Sequence, residues 1–457
     1  MACTAGVVAP SLAASASPGH ATGWTAHWWW FWHPKPAHPA HPTPAHPGHP
    51  VAPTTSPQPA SPGATSTTSA PTSPIATTST SPTSTTSTAG TTSTTTTSPT
   101  PATTTTSAPA GSTTSQPPIG SAGNPDGHAS VPGEAAAVDT SHPTTVIGTG
   151  TPAGCTSAAV VAAVAKGGIV TFDCGPDPIV ITLAETAKVV NTNDRLVIDG
   201  GGKVTLSGGG KHRILYQNTC DSAQVWTTTH CDDQPTPLLA LQNLSFVDAD
   251  SSTESLAHGQ GGGAVYLQGG QLKVVNSTFA RNRCDATGPD VAGGALRPVL
   301  TSTTATSYVV NSTFDGNRCS NGAAIGGLQA RRLTVINSLL RNNTATGVGA
   351  NPQRAGTPGG GNGGALYDDG THLAVTVAGT LIEDNTASEG GAGLFYTSND
   401  GTGTISISSS VLRRNPDAGW IPSTPGLFVK GLAAYGADTA VSGTQLARFV
   451  TDSTIQP

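Results

Sequence analysis

Lys211, His212, Arg213, Asp233, His258 and Arg297 are the side chains whose types fit a reaction on a charged sugar. A β-elimination on a uronate needs a base, often Arg or Lys, beside a cation that acidifies the proton next to the carboxylate. These six residues form the candidate set for that chemistry, with Ca²⁺ as its cation; outside it no cofactor is expected. Inverting hydrolysis would instead need carboxyl groups converging at about 6.5–9.5 Å. The acids on offer are Asp232 and Asp233 in CDDQ and the pair Asp368 and Asp369 in YDDG, which abuts a glycine and reads as a loop. None of the cysteines sits in a CxxC or Cys/His spacing, so no zinc site is expected. His38, His41, His46 and His49 lie in a proline-stiffened strip, PAHPAHPTPAHPGHP, suited at most to weak Ni, Cu or Zn binding. A net charge of −6 with only 10% charged residues gives no basic field for nucleic acid.

The elements that must carry these residues follow from a repeat. VVNSTFARN from Val274 has relatives in LQNLSFVDA, VVNSTFDGN, VINSLLRNN, VAGTLIEDN and ISSSVLRRN, whose third residues are Asn243, Asn311, Asn337, Gly379 and Ser409. Successive copies lie 26 to 42 residues apart, the spacing of a stacked solenoid. Each copy is paired with Gly-Gly-Ala and an aliphatic residue, at Gly262, Gly293, Gly322 (GAAI), Gly363 and Gly391 (GAGL). Stacking at the strand spacing of about 4.8 Å turns equivalent positions into columns. Phe246, Phe279, Phe314, Leu340, Ile382 and Leu412 are predicted as an inward column. Asn282, Asn317, Asn343, Asn385 and Asn415 are predicted as an asparagine ladder at a corner, where Asn tolerates left-handed backbone. Asp315, Arg341, Glu383 and Arg413 are predicted as an outward charge row that is structural.

Six cysteines fall in the C-terminal part, and their placement argues for three bridges in an oxidising location outside the cytoplasm. Cys284 and Cys319 occur in the same NRC tripeptide one repeat apart, so they should stack and bond. Cys155 and Cys174 flank a short helix, from about Ala158 to Ala165 and capped by Thr156 or Ser157, and the strand Ile169 to Phe172, closing a lid on the first coil. Cys220 and Cys231 bracket a polar insertion that holds Trp226 and His230.

Residues 1–22 read as a degenerate or truncated signal-like segment and 23–50 as a Trp/His/Pro-rich segment containing HWWWFWHP, too short to span a bilayer. Residues 51–145 are Thr, Ser and Pro with nothing to bury, a disordered stalk, and 146–457 form one domain.

The helix with GGIVTFDCG and then IDGGGKVTLSGGG resembles the opening of right-handed parallel β-helix proteins of the pectin-lyase-like superfamily. The paired GGA[ILV] and FxxN pattern, literal in FARN and FDGN, resembles repeats of bacterial polymorphic outer-membrane proteins over about residues 240 to 415. The first resemblance implies an all-β, right-handed single-stranded parallel β-helix with a capping helix; the second implies a surface-exposed adhesin. NTND at Asn191, CDDQ at Asp232 and AHGQ at His258 are a partial match to polygalacturonase-like hydrolases, without their RIK motif. Two functions therefore stand. The first is a secreted or envelope-associated monomer that binds an extracellular polysaccharide or a cell-surface glycan or protein. The alternative is a lyase or hydrolase of an acidic polysaccharide. Neither nucleic acid nor a transmembrane span is expected.

Overall fold

The computed structural model describes residues 121–225, 231–254, 260–416 and 424–456. The signal-like segment, the Trp/His-rich segment, the stalk up to residue 120, Trp226, His230 and His258 lie outside the described residues.

The chain winds as a parallel β-helix whose coils present three faces. On the first face Gln271–Val275, Ser307–Val310, Arg332–Ile336, Ala374–Ala378 and Thr404–Ser408 stack in parallel register. A corner later in each coil, Thr278–Ala280, Thr313–Asp315, Leu339–Arg341, Leu381–Glu383 and Val411–Arg413 form the second. The third holds Ala187–Lys188, Leu215–Asn218, Val265–Gln268, Leu296–Val299, Ile325–Leu328, Leu366–Gly370, Leu394–Ser398 and Leu427–Lys430. The first two faces share a 17-stranded sheet and the third is an 8-stranded one. The core is the interior of this triangular tube, where alternate residues of every strand meet.

The inward column runs as the repeat predicts and is longer. Phe246, Phe279, Phe314, Leu340, Ile382 and Leu412 are in register, with Leu206 added before them and Ile455 after. The phenylalanine rings stack at 4.7 and 4.9 Å. The asparagine ladder is also present and buried. Asn282 Nδ2 donates to Asn317 Oδ1 at 3.0 Å, and the same bond runs from Asn317 to Asn343, Asn343 to Asn385 and Asn385 to Asn415 at 2.9 Å each. Its backbone differs from expectation. The left-handed residue is the one before each ladder asparagine, Arg281 (φ 55°), Gly316 (67°), Asn342 (56°), Asp384 (56°) and Arg414 (52°), because the chain turns there and leaves the amide pointing along the stack. A second left-handed column is the third residue of each repeat, Asn243, Asn276, Asn311, Asn337, Gly379 and Ser409, at φ 47° to 58°.

Beside it runs a hydroxyl ladder that the sequence reading missed. The amide N–H groups of Ser277, Ser312, Ser338 and Thr380 donate to the next coil's Ser312, Ser338, Thr380 and Ser410 hydroxyls at 3.0–3.2 Å. The first glycine of each GGA motif is equally constrained. Gly293 has φ 78°, and a Cβ there would stand 2.3 Å from the Leu296 carbonyl oxygen. The charge row is paired across coils, Arg341 with Asp315 at 2.9 Å and Arg413 with Glu383 at 2.8 Å.

Helix Ser157–Lys166, capped by Thr156, covers the first coil. All three predicted bridges are present, Cys155–Cys174, Cys220–Cys231 and Cys284–Cys319.

Residues 121–144, assigned from sequence to the linker, belong to the folded body. They run along the outside of the first face and its corner as a strap with two arms, pinned by side-chain amides that imitate backbone pairing. Asn337 Oδ1 accepts the Ala129 N–H at 2.8 Å while its Nδ2 donates to the Ala129 carbonyl at 2.9 Å. Gln242 does the same for Val138, at 2.8 and 2.9 Å. Between these pins Ala129, Val131 and Ala135 cover Val275, Tyr308, Val310 and Ile336. Polar pins and small residues leave no hydrophobic alternation in the strap, so the composition reads as linker. Gln242→Met removes these two neutral hydrogen bonds, of about 1 kcal/mol each, and a third that Nε2 donates to the Asp199 carboxylate at 2.9 Å. Amide exchange around Val138 should then rise roughly tenfold or more with the coils still protected; unchanged exchange there would mean the strap is held otherwise.

Candidate functional site

Of the five candidates among the described residues, Lys211 and His212 line one pocket, and Arg213, Asp233 and Arg297 are not part of its lining. Arg213 is fully buried; its Nε donates to the Gly262 carbonyl at 3.0 Å and an Nη to the Gly261 carbonyl at 2.9 Å. Its guanidinium lies 5.7 Å from the Tyr216 ring centre and 5.4 Å from that of Tyr266. Arg297 occupies the same outward column, in register after Tyr216 and Tyr266, and donates to the carbonyls of Gly326 (3.2 Å) and Asp290 (2.5 Å). Both cations hold main chain in place. Asp233 follows the third-face strand Leu215–Asn218, beyond the Cys220–Cys231 bridge, whereas Lys211, His212 and Arg213 precede that strand. His258 is outside the described residues. In the hydrolase-like motif, Asn191 is buried and donates to the Asn218 carbonyl at 2.7 Å, a corner role.

Lys211 and His212 do meet other groups. Together with Glu185, Thr186, Lys188, Thr253 and Glu254 they line an open pocket of about 370 Å³ at the corner leading into the third face. Three successive coils build it. Lys188 lies in register with Tyr216, and Thr253 donates to the Lys211 carbonyl at 2.9 Å. The floor is fixed by Glu254, whose carboxylate accepts from the Thr186 hydroxyl at 2.5 Å and the Arg213 amide at 3.0 Å and sits 3.6 Å from the Arg213 guanidinium.

The chain matches no protein-family model, no curated protein and no solved structure.

The YDDG pair corrects the sequence reading: Asp368 and Asp369 lie in the third-face strand Leu366–Gly370 and both are buried. Asp368 points into the tube, in register between Gly327 and Tyr396. A Cβ on Gly327 would stand 2.4 Å from its carboxyl oxygen, so the glycine makes the room. Burial pushes Asp368 up to about 8; one oxygen accepts the Ala330 N–H at 3.3 Å and the other has no partner. Asp369 points outward. Burial raises it to about 6 against hydrogen bonds from Asn399 Nδ2 (2.8 Å) and the Tyr367 hydroxyl (3.1 Å). Asn351 Nδ2 joins it, at 3.2 Å, to the exposed Asp290, at 3.3 Å. A carboxyl group that holds its proton near neutral pH beside a second carboxylate is the arrangement acid/base chemistry uses.

The outward aromatic column of this face, Tyr216, Tyr266, Tyr367 and Phe395, stacks at 5.6 Å for the first pair and 5.2 Å for the second and is buried. These four rings offer no face for a sugar; Phe428, stacked on Phe395 at 4.7 Å, continues the column and is half-buried. Among the described residues no group of three or more His, Cys, Asp or Glu side chains is placed to hold a metal ion, and no helix is long and apolar enough to cross a membrane.

Proposed function

We propose that this chain is a secreted, surface-displayed β-helix protein that binds an extracellular polysaccharide or cell-surface glycan without cleaving it. The observation that carries this reading is the commitment of Arg213 and Arg297 to main-chain carbonyls inside the third face. A lyase base must reach the substrate proton, and these two do not. Three disulfides support an extracellular location. The resemblance of the coils to polymorphic outer-membrane protein repeats supports display at a surface, and that to the pectin-lyase-like superfamily supports a saccharide as ligand. The chain acts as a monomer in this reading, with helix Ser157–Lys166 covering the first coil.

A screen of the full chain against plant, microbial and cell-wall polysaccharides, read for retention, reducing ends and unsaturated products, tests it. Retention without product is expected; product release, or no retention on any glycan, would overturn it.

A second reading, hydrolysis of an acidic polysaccharide, is favoured by the Asp290, Asn351 and Asp369 arrangement. Under that reading any reducing ends released would disappear in Asp369→Asn, with retention kept.

A further inference from the structure

We infer that the corner pocket of Lys188, Lys211 and His212 binds the anionic group, carboxylate or sulfate, of a sugar residue. The inference rests on the glycan-binding reading and names the chemistry of one subsite.

The pocket's volume of about 370 Å³ is within the range of small-ligand sites and suits a single sugar ring with its substituents. Its charges divide into two groups. Glu254 is neutralised within the wall by Arg213 and held by Thr186. Lys188 and Lys211 line the same space, and neither ammonium has a hydrogen-bond or ion-pair partner among the described residues. Two ammonium groups facing an open polar pocket are an acceptor for an anion, which would gain charge-assisted hydrogen bonds there. His212 offers a further polar edge, and Glu185 and Thr253 at the exposed margin suit sugar hydroxyls.

The geometry also limits how a chain could lie. The wall is built from Glu185, Thr186, Lys188, Lys211, His212, Thr253 and Glu254 on three stacked coils, so it spans them along the solenoid axis. An extended saccharide running along that axis would present one charged residue to the lysines and pass its neighbours along the corner. Because Arg213 and Glu254 are held by the fold, the floor is set before the ligand arrives.

The test is calorimetric titration of the full chain with three trisaccharides of one backbone: uronate-containing, sulfated, and the neutral carboxyl-reduced form. The double variant Lys188→Gln/Lys211→Gln is compared with Lys203→Gln/Arg448→Gln, which removes the same charge from exposed positions outside the pocket. Binding of the uronate or the sulfated form is expected, at least roughly tenfold weaker in the pocket variant and unchanged in the control. The arm that binds identifies the anion. Glu185→Gln should strengthen it. Equal binding of the neutral form, or unaltered binding by the pocket variant, would overturn the inference. Retention of the pocket variant on a polysaccharide that retains the wild type would sink this subsite alone; a wild type retained by no polysaccharide would sink the glycan-binding reading as well.

Discussion

Asp368→Asn should melt higher than the wild type at pH 8 and no higher at pH 4. The folded chain holds the Asp368 carboxyl near 8, against an ordinary 3.8, because it points into the tube. Below about pH 4 the group is protonated folded and unfolded alike and costs nothing extra. As pH rises, the unfolded chain releases its proton while the folded chain must keep it, so native stability falls until the folded group itself ionises near 8. The sign is thus stability present at low pH and lost towards high pH. Integrated over that window the loss is on the order of 5 kcal/mol. Asp369 adds like charge from the same strand, and Arg297 opposes it from two coils away. An asparagine keeps the acceptor for Ala330 N–H and cannot ionise. Urea titrations of both chains at pH 4, 6 and 8 should show curves that diverge upward for the variant. Parallel curves would mean that Asp368 is solvated and ionised in the native state.

Asn343→Ala should be among the most destabilising single changes in the coils, by about 3–5 kcal/mol. Asn343 Oδ1 accepts both the amide N–H (3.1 Å) and the Nδ2 (2.9 Å) of Asn317, while its own Nδ2 donates to the Phe314 carbonyl (3.1 Å) and Asn385 Oδ1 (2.9 Å). Truncation leaves the amide N–H and one Nδ2 hydrogen of buried Asn317 without an acceptor, and each costs about 1–3 kcal/mol. Asn343→Asp should not rescue it, since the carboxylate would face Asn385 Oδ1 without a proton to donate. The exposed neighbour Asn342 is the control. It makes one side-chain bond, to Asp315 at 2.8 Å, and Asn342→Gly, which keeps its left-handed φ of 56°, should cost about 1 kcal/mol or less. A urea midpoint for Asn343→Ala within error of the wild type would mean that water replaces the ladder.

The legible parts of the fold were those that repeat. Phe279 and Asn282 were readable because the same two residues return in register with Phe314 and Asn317, and the NRC tripeptides fixed Cys284–Cys319 without geometry. Asp368 was misread for want of carrying the pattern three residues further. GGAL-YDD occupies the offset of GGAV-YLQ and GGAL-RPV, which already placed Leu366 inward, Tyr367 outward and Asp368 inward. A polar residue in a strand interior does not announce itself as strand. The hydroxyl ladder was present in the letters as Ser277, Ser312, Ser338 and Thr380, yet Ser after Asn reads equally as a turn. The strap at 121–144 was illegible in principle, since its partners are Gln242 and Asn337, a hundred or more residues away. The candidate site was the least legible. Columns say which way a side chain points, and GGAL-RPV puts Arg297 outward, but the carbonyls that Arg213 and Arg297 bind are not encoded by the repeat.

The separation of scaffold from site is most directly tested by one column experiment with three proteins on the polysaccharide that retains the wild type. The wild type, Lys188→Gln/Lys211→Gln and Asp369→Asn are applied, and the eluates are assayed for reducing ends and unsaturated products. The expected result is retention of the wild type and Asp369→Asn with no product, and early elution of the lysine variant at an unchanged melting temperature. Product released by the wild type and abolished in Asp369→Asn would contradict it.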